Sequence, residues 1–435
     1  MSEDFVPGRR LPRPVRMFLA TEVAGGVVLL GASCVALVWA NSPWQHTYVS
    51  LWRTDLSIGL GRWVISEDLR HWVNDGLMAL FFFVVGLEVK RELVKGELRE
   101  VRAAALPVLA AVGGMIVPAL LYAVVNLGRP GGHGWGIPMA TDIAFALGVL
   151  AILGSRAPAS LKVFLLTLAI VDDIGAIVVI AVVYSRGIDG RALGIAVASV
   201  VLMVLLRKVG IVWLPLFVIL GVVVWVATHA SGIHPTIAGV VLGLLCPIHP
   251  LAPARVARTW LRQIQDEPAP GDLAAMTNMA RASVSVAERL EYLLHPWTGF
   301  VVVPLFALAN AGVVLRADSL DGQGTVAVAG GVVAGLVVGK CVGILFTVWV
   351  AVRIGISPLP TEVTWGQMAG VAMIAGIGFT VSLFIAGLAF PGEAHLEDAA
   401  KLGILVASAV AAVTGAWLVA RSRPTHHGGG DGDGP

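Results

Sequence analysis

Asp172 and Asp173 stand side by side in LLTLAIVDDIGAIVVIAVVY, a run from Leu165 to Tyr184 with no other ionisable side chain before its terminal tyrosine. At about 1.5 Å per helical residue this run crosses a bilayer core of about 30 Å, which sets the two acids near mid-membrane. An isolated carboxylate there costs roughly 2.5 to 3.5 kcal/mol, so it persists only where it faces water, a cation, a partner charge or protons. Carboxylate oxygens suit hard cations such as sodium and lithium, and protons bind the same atoms. The chemistry implied is competition between a small cation and protons for one pair of acids. Two further charges belong to it. Lys340, in VVGKCVGILF, has apolar residues on both sides, and an intramembrane lysine needs a carboxylate at its own depth. Asp142, in GIPMATDIAFALGVL, is the third acid. Successive helical residues point about 100° apart, so Asp172 and Asp173 diverge: one can share a cation site with Asp142 while its neighbour meets Lys340.

These residues must be carried by membrane helices. Of the 435 residues 57% are hydrophobic and only 13% charged, against about 25% charged for a soluble domain. The chain therefore reads as an all-α integral membrane protein in the lipid bilayer. A net charge of +2 is too small to imply a nucleic-acid partner. Apolar runs predict twelve spans, at about 17–40, 71–89, 103–125, 136–153, 161–184, 192–206, 211–228, 233–248, 292–315, 325–352, 365–390 and 402–420. With that count both termini share a side, and that side holds most of the 30 Lys and Arg, which makes it cytoplasmic. Lys340, left over from that count, lies within the tenth span.

Two spans read as interrupted. Pro138, Thr141 and Asp142 lie inside the fourth, and Gly376, Gly378 and Thr380 lie inside the eleventh. Spans three to five and ten to twelve are triplets offset by an odd number, so they run in opposite senses with a break in each middle member. Broken helices at corresponding positions of inverted repeats point to a transporter's midplane site. Their free ends carry dipoles: positive N-terminal ends suit Asp142, negative C-terminal ends suit Lys340.

Outside the spans, 1–16 is a cytoplasmic arm with four arginines. The first apolar run is longer than a signal-peptide core and reads as a retained helix. The 41–69 connection, extra-cytoplasmic by the charge count, holds Trp44, Trp52 and Trp63 as interfacial anchors and a hairpin signal around Gly59 and Gly61. The proline-rich 249–291 connection reads as a cytoplasmic loop, and 422–435 as a flexible cytoplasmic tail. Cys34, Cys246 and Cys341 lack metal or disulfide spacing and read as small buried hydrophobes.

The strings GLEVKREL, IPMATDIAFALGVL, LAIVDDIGAIVVI, RLEYLLHPW, LFALANAGV and GIGFTVSLFIAGLAF, spread from about Met17 to Arg421, resemble the NhaA family of bacterial sodium/proton antiporters. The resemblance implies twelve helices with the fourth and eleventh unwound where they cross, no cofactor, and location in the bacterial inner membrane. It implies export of sodium, and of lithium, against entering protons, electrogenic and regulated by pH. Asp172 and Asp173 then look like the exchanging pair, with Thr141 a polar neighbour of the ion, and Asp142 and Lys340 like the charges at the crossing. It further suggests that Glu88, Arg91, Glu92, Glu291 and His295 respond to pH at the cytoplasmic mouth, that Asp75 and His234 take part in the response, and that the 41–69 connection joins two protomers. The connection between spans eight and nine is longer than the family's pattern, and Pro235 directly follows His234.

Three other classes compete. An intramembrane aspartyl protease needs acids on two helices facing one water, typically with a GxGD string, which none of the apolar spans carries here. A cation channel needs a filter such as TVGYG, also absent. A pH sensor without transport would use the same acids but show no counter-movement of protons.

Overall fold

The computed structural model describes residues 13–60, 63–185, 187–211, 213–250, 283–314 and 322–422. The N-terminal arm up to residue 12, most of the 249–291 connection and the tail from 423 lie outside the described residues. Within them the chain is helical apart from one hairpin: α1 (Arg13–Ala40), α2 (Gln45–Trp52), β1 (Asp55–Leu60), β2 (Trp63–Asp68), α3 (69–94), α4 (Val101–Val125), a 3-10 stretch (Pro130–Met139), α5 (Ile143–Ile152), α6 (Ala159–Val183), α7 (Gly190–Lys208), α8 (Leu214–Ala230), α9 (Thr236–Leu245), α10 (Val286–Asn310), α11 (Thr325–Ile354), α12 (Trp365–Ile374), α13 (Phe379–Ala389) and α14 (Ala394–Arg421). Six of these helices are long and apolar enough to cross a membrane, and nine spans result if each bent pair is one. The chain is a multi-pass membrane protein. Its outward faces carry Val27, Leu120, Val182 and Val218, apolar surface of the kind that only lipid covers without cost.

The chain divides into two units: Met1–Gly31, Ala105–Asp172 and Arg316–Pro435 in the first, Ala32–Ala104 and Asp173–Leu315 in the second. The division passes between the two aspartates. The first unit holds both interrupted segments. Its core packs Leu147 and Leu150 of α5 with Leu161 and Leu168 of α6, Ile344 and Val348 of α11, and Met368 and Val371 of α12. In the second, α3 packs along α9 and α10, with Leu87, Ile248 and Ala287 at one end. Close approach there depends on glycine: a Cβ on Gly86 would stand 2.7 Å from the Val240 carbonyl oxygen.

Several boundaries differ from the sequence reading, each for a local reason. The 41–69 connection contains the extra helix α2 before the hairpin, whose strands pair Leu56 with Glu67 and Leu60 with Trp63. Helix α10 begins at Val286, inside the expected loop, because Ser285 and Glu288 form a reciprocal capping box. Pro235 sets the start of α9 at Thr236, three residues late. Helix α14 starts eight residues early: Lys401 and Glu397, one turn apart, pair at 2.5 Å and let charged residues extend the helix. The cysteines are less buried than expected, Cys34 being exposed and the other two half-buried.

Candidate functional site

Both interruptions arise where the backbone cannot stay helical. The 3-10 stretch contains Pro138, Ala140 and Asp142 are extended, and α5 leaves at 48° to it. Between α12 and α13 the axis bends by 43° across Gly376 and Gly378. Glycine is required at both. A Cβ on Gly376 would strike the Leu336 carbonyl, and one on Gly378 would stand 3.1 Å from the Ala140 carbonyl oxygen.

The breaks bond to each other. The Asp142 N–H donates to the Ile377 carbonyl at 2.6 Å, and Ser382 Oγ donates to the Ile137 carbonyl at 2.7 Å. Asp142 caps two helices at once. Its Oδ1 accepts from the Phe145 N–H at the start of α5, and its Oδ2 accepts from the N–H and hydroxyl of Thr380 at the start of α13, at 3.0 and 2.7 Å. One carboxylate thus sits against two positive helix ends.

Beside it, Lys340 Nζ donates to Asp172 Oδ2 and, at 2.7 Å, to Thr141 Oγ1. The Thr141 hydroxyl lies 2.7 Å from Asp172 Oδ2 and 2.9 Å from the carbonyl of Ala375, the residue that ends α12. The lysine therefore faces a carboxylate and, through Thr141, a negative helix end. Asp172 and Lys340 are fully buried, Asp142 and Asp173 nearly so. Asp172 Oδ1 is buried without a hydrogen-bond partner. One Asp172 oxygen is thus open while the other meets a hydroxyl that also reaches a backbone carbonyl, and oxygens of these kinds suit a small hard cation. Sequence reasoning made Thr141 a polar neighbour of the ion; here its hydroxyl is engaged with Asp172. It missed Ser382, a second hydroxyl one turn beyond Gly378 in GIGFTVSLF, and the carbonyls of Ala375 and Ile377, which no side-chain pattern encodes.

The residues expected to respond to pH fall into two clusters, both in the second unit. Glu88, Arg91 and Glu92 repeat at helical spacing on α3, and Glu291 and His295 do so on α10. Arg91 pairs with Glu291, Glu92 lies 3.5 Å from Arg91, His295 Nε2 lies 4.0 Å from Glu88, and Lys95 joins Glu288 at 2.7 Å. Asp75 and His234 are elsewhere, toward the opposite end of α3, roughly 20 Å away at helical rise. There His234 Nε2 lies 3.6 Å from Asp75, and His229 stands 3.6 Å from Asp75 and 3.8 Å from Glu67 of β2. His229 and Glu67 escaped the sequence reading. Their signal was weak: His229 is one turn after Trp225, on whose ring it stacks at 5.8 Å.

A multi-pass membrane chain with two interrupted helices bonded at their breaks around buried charges has the make-up of an ion-handling membrane protein. Comparison narrows the class. The family model described as Na+/H+ antiporter 1 matches residues 16–419. A protein of Rhodopirellula baltica named Na(+)/H(+) antiporter NhaA is 48% identical over 429 residues, covering 96% of both chains. Na(+)/H(+) antiporter NhaA 2 of Sorangium cellulosum is 45% identical, covering 94% of this chain and 91% of its own. Na(+)/H(+) antiporter NhaA 3 of Frankia alni is 46% identical over 95% and 90%. The chain belongs to this Na+/H+ antiporter family.

Proposed function

We propose that this protein is a secondary transporter, not an enzyme, that exports sodium, and lithium, from the bacterial cytoplasm in exchange for protons. The observation that carries the reading is the buried group of Asp172, Lys340 and Thr141 at the ends of interrupted helices, in a chain whose relatives are named as antiporters. Asp172 and Asp173 are the exchanging acids. Sodium competes with protons for their oxygens, with Thr141 and backbone carbonyls replacing water around the ion. Lys340 holds the place of the cation at Asp172 while the site is empty of sodium. Asp142 neutralises the two helix ends and keeps the broken segments tolerable away from water.

In the present conformation Asp172 is closed to solvent, so exchange requires an opening movement. We place that movement at the breaks, within a fold of twelve helices with two inverted repeats, whose fourth and eleventh members cross. If more charge enters as protons than leaves as sodium, the membrane potential adds about 2.3 kcal/mol per charge per 100 mV. The 17–421 region forms the transport domain in the inner membrane, both termini are cytoplasmic, and the 41–69 connection with its hairpin joins two protomers.

For the pH response we propose the Glu88, Arg91, Glu92, Glu291 and His295 mouth, with Asp75 and His234 acting at the other end of α3. The His295–Glu88 contact is an ion pair only while the imidazole is protonated, so the mouth is tied at low pH and loosens as pH rises. Everted vesicles carrying a pH gradient test the function. Sodium and lithium, added across a pH series, should each dissipate the gradient; failure of both at every pH would end the reading. Potassium serves as the comparison.

A further inference from the structure

Helix α11 is not uniformly α-helical. Between Ala334 and Gly339 it opens into a π-turn, and Lys340 is the first residue after it. The Lys340 N–H donates to the Gly335 carbonyl, five residues back, where an α-helix would use the residue four back. Such a turn inserts one residue and so rotates everything beyond it by about 100° around the axis. The direction in which Lys340 leaves α11 is therefore set here.

The turn is wedged on three sides. A Cβ on Gly335 would stand 2.6 Å from Pro138 Cβ, and one on Gly339 would stand 2.7 Å from Pro118 Cα. The Leu336 carbonyl faces Gly376, and its side chain lies 2.9 Å from the Cβ position of Gly378. The wide turn is thus held by the proline inside α4, the proline before the first break and the glycines of the second. With a regular α-turn in its place, the ammonium would point about 100° away and leave Asp172 without its partner.

We propose that the π-turn is the element that aims Lys340 at Asp172 and Thr141, with Gly335 and Gly339 as positioning residues. This rests on the reading of Asp172 as an exchanging acid. The test uses proteoliposomes of the full chain carrying Gly339→Ala, deletion of Val338, or Gly343→Ala. Gly343 is the control: it lies in α11 one turn past Lys340, outside the π-turn, and its Cβ would strike the Gly113 carbonyl. Sodium-driven proton flux is recorded for maximal rate, sodium KM and the pH of half-maximal activity, with thermal stability alongside.

Gly339→Ala and the deletion should move the pH midpoint by about half a unit or more and change sodium KM several-fold, because the ammonium that competes with sodium and protons at the carboxylate is then displaced. Gly343→Ala should lower stability and yield but leave both unchanged. If Gly339→Ala folds poorly because its methyl meets the Pro118 backbone, the Val338 deletion, which adds no atom against Pro118, carries the same readouts. A wild-type pH midpoint and KM in every folded π-turn variant overturns the proposal. Absence of sodium-driven flux from the wild type would instead sink the antiport reading itself.

Discussion

The breaks in the first unit and the Arg91–Glu291 cluster in the second are built from the same residue types, the first sealed and the second opening by degrees to solvent. Asp142, Asp172 and Lys340 are 3%, 0% and 0% exposed, whereas the second cluster is graded from Glu291 and His295, at 7% and 12% of their side chains, through Arg91 at 28% to Lys95 at 38%. Charges removed from water depend wholly on their partners, and charges at a surface depend on them little. Only at the outer edge of the second, where Lys95 meets Glu288, can a charge be altered at small cost.

Lys340 should be the most sensitive position. Lys340→Ala strands the Asp172 carboxylate, and about 3–5 kcal/mol of stability should go with it; thermal unfolding in detergent measures the loss, and an unshifted melting temperature would show that Asp172 finds another partner. Asp142→Ala comes next. It removes caps from α5 and α13 together, at about 0.5–2 kcal/mol each, so purified protein should unfold earlier than the wild type but later than Lys340→Ala.

Asp173→Asn sharpens the contrast by separating folding from transport. Its unfolding temperature should match the wild type while sodium-dependent proton flux in proteoliposomes disappears, and robust exchange by this variant would remove Asp173 from its assigned role. The mouth should respond more gently. His295→Gln cannot form the protonated pair with Glu88, so vesicle assays should show activity retained toward lower pH, with no difference where the imidazole is already neutral. Smallest of all, Lys95→Ala should change stability by no more than about 0.5 kcal/mol, since its pair with Glu288 is screened by water.

Much of this was legible along the chain because a bilayer simplifies the code. A charge within an apolar span is anomalous wherever it occurs, so Asp142, Asp172, Asp173 and Lys340 declared themselves without a structure. The positions of the breaks were legible too, since Pro138, Gly376 and Gly378 interrupt helices for reasons of local backbone chemistry. The helix starts at Val286 and Ala394 were less so: a capping box and a one-turn ion pair outweigh the polarity that marked those stretches as loop.

Composition and span pattern by themselves determined that this is a membrane protein with charges at mid-span and two interrupted helices, because insertion into lipid is decided segment by segment. Tertiary packing settled that one carboxylate caps two helices, that Lys340, just past a π-turn, meets Asp172, and that Asp75 and His234 stand apart from the Arg91–Glu291 cluster. Those facts depend on the direction in which side chains leave different helices, and that direction is set by packing between segments far apart in the chain.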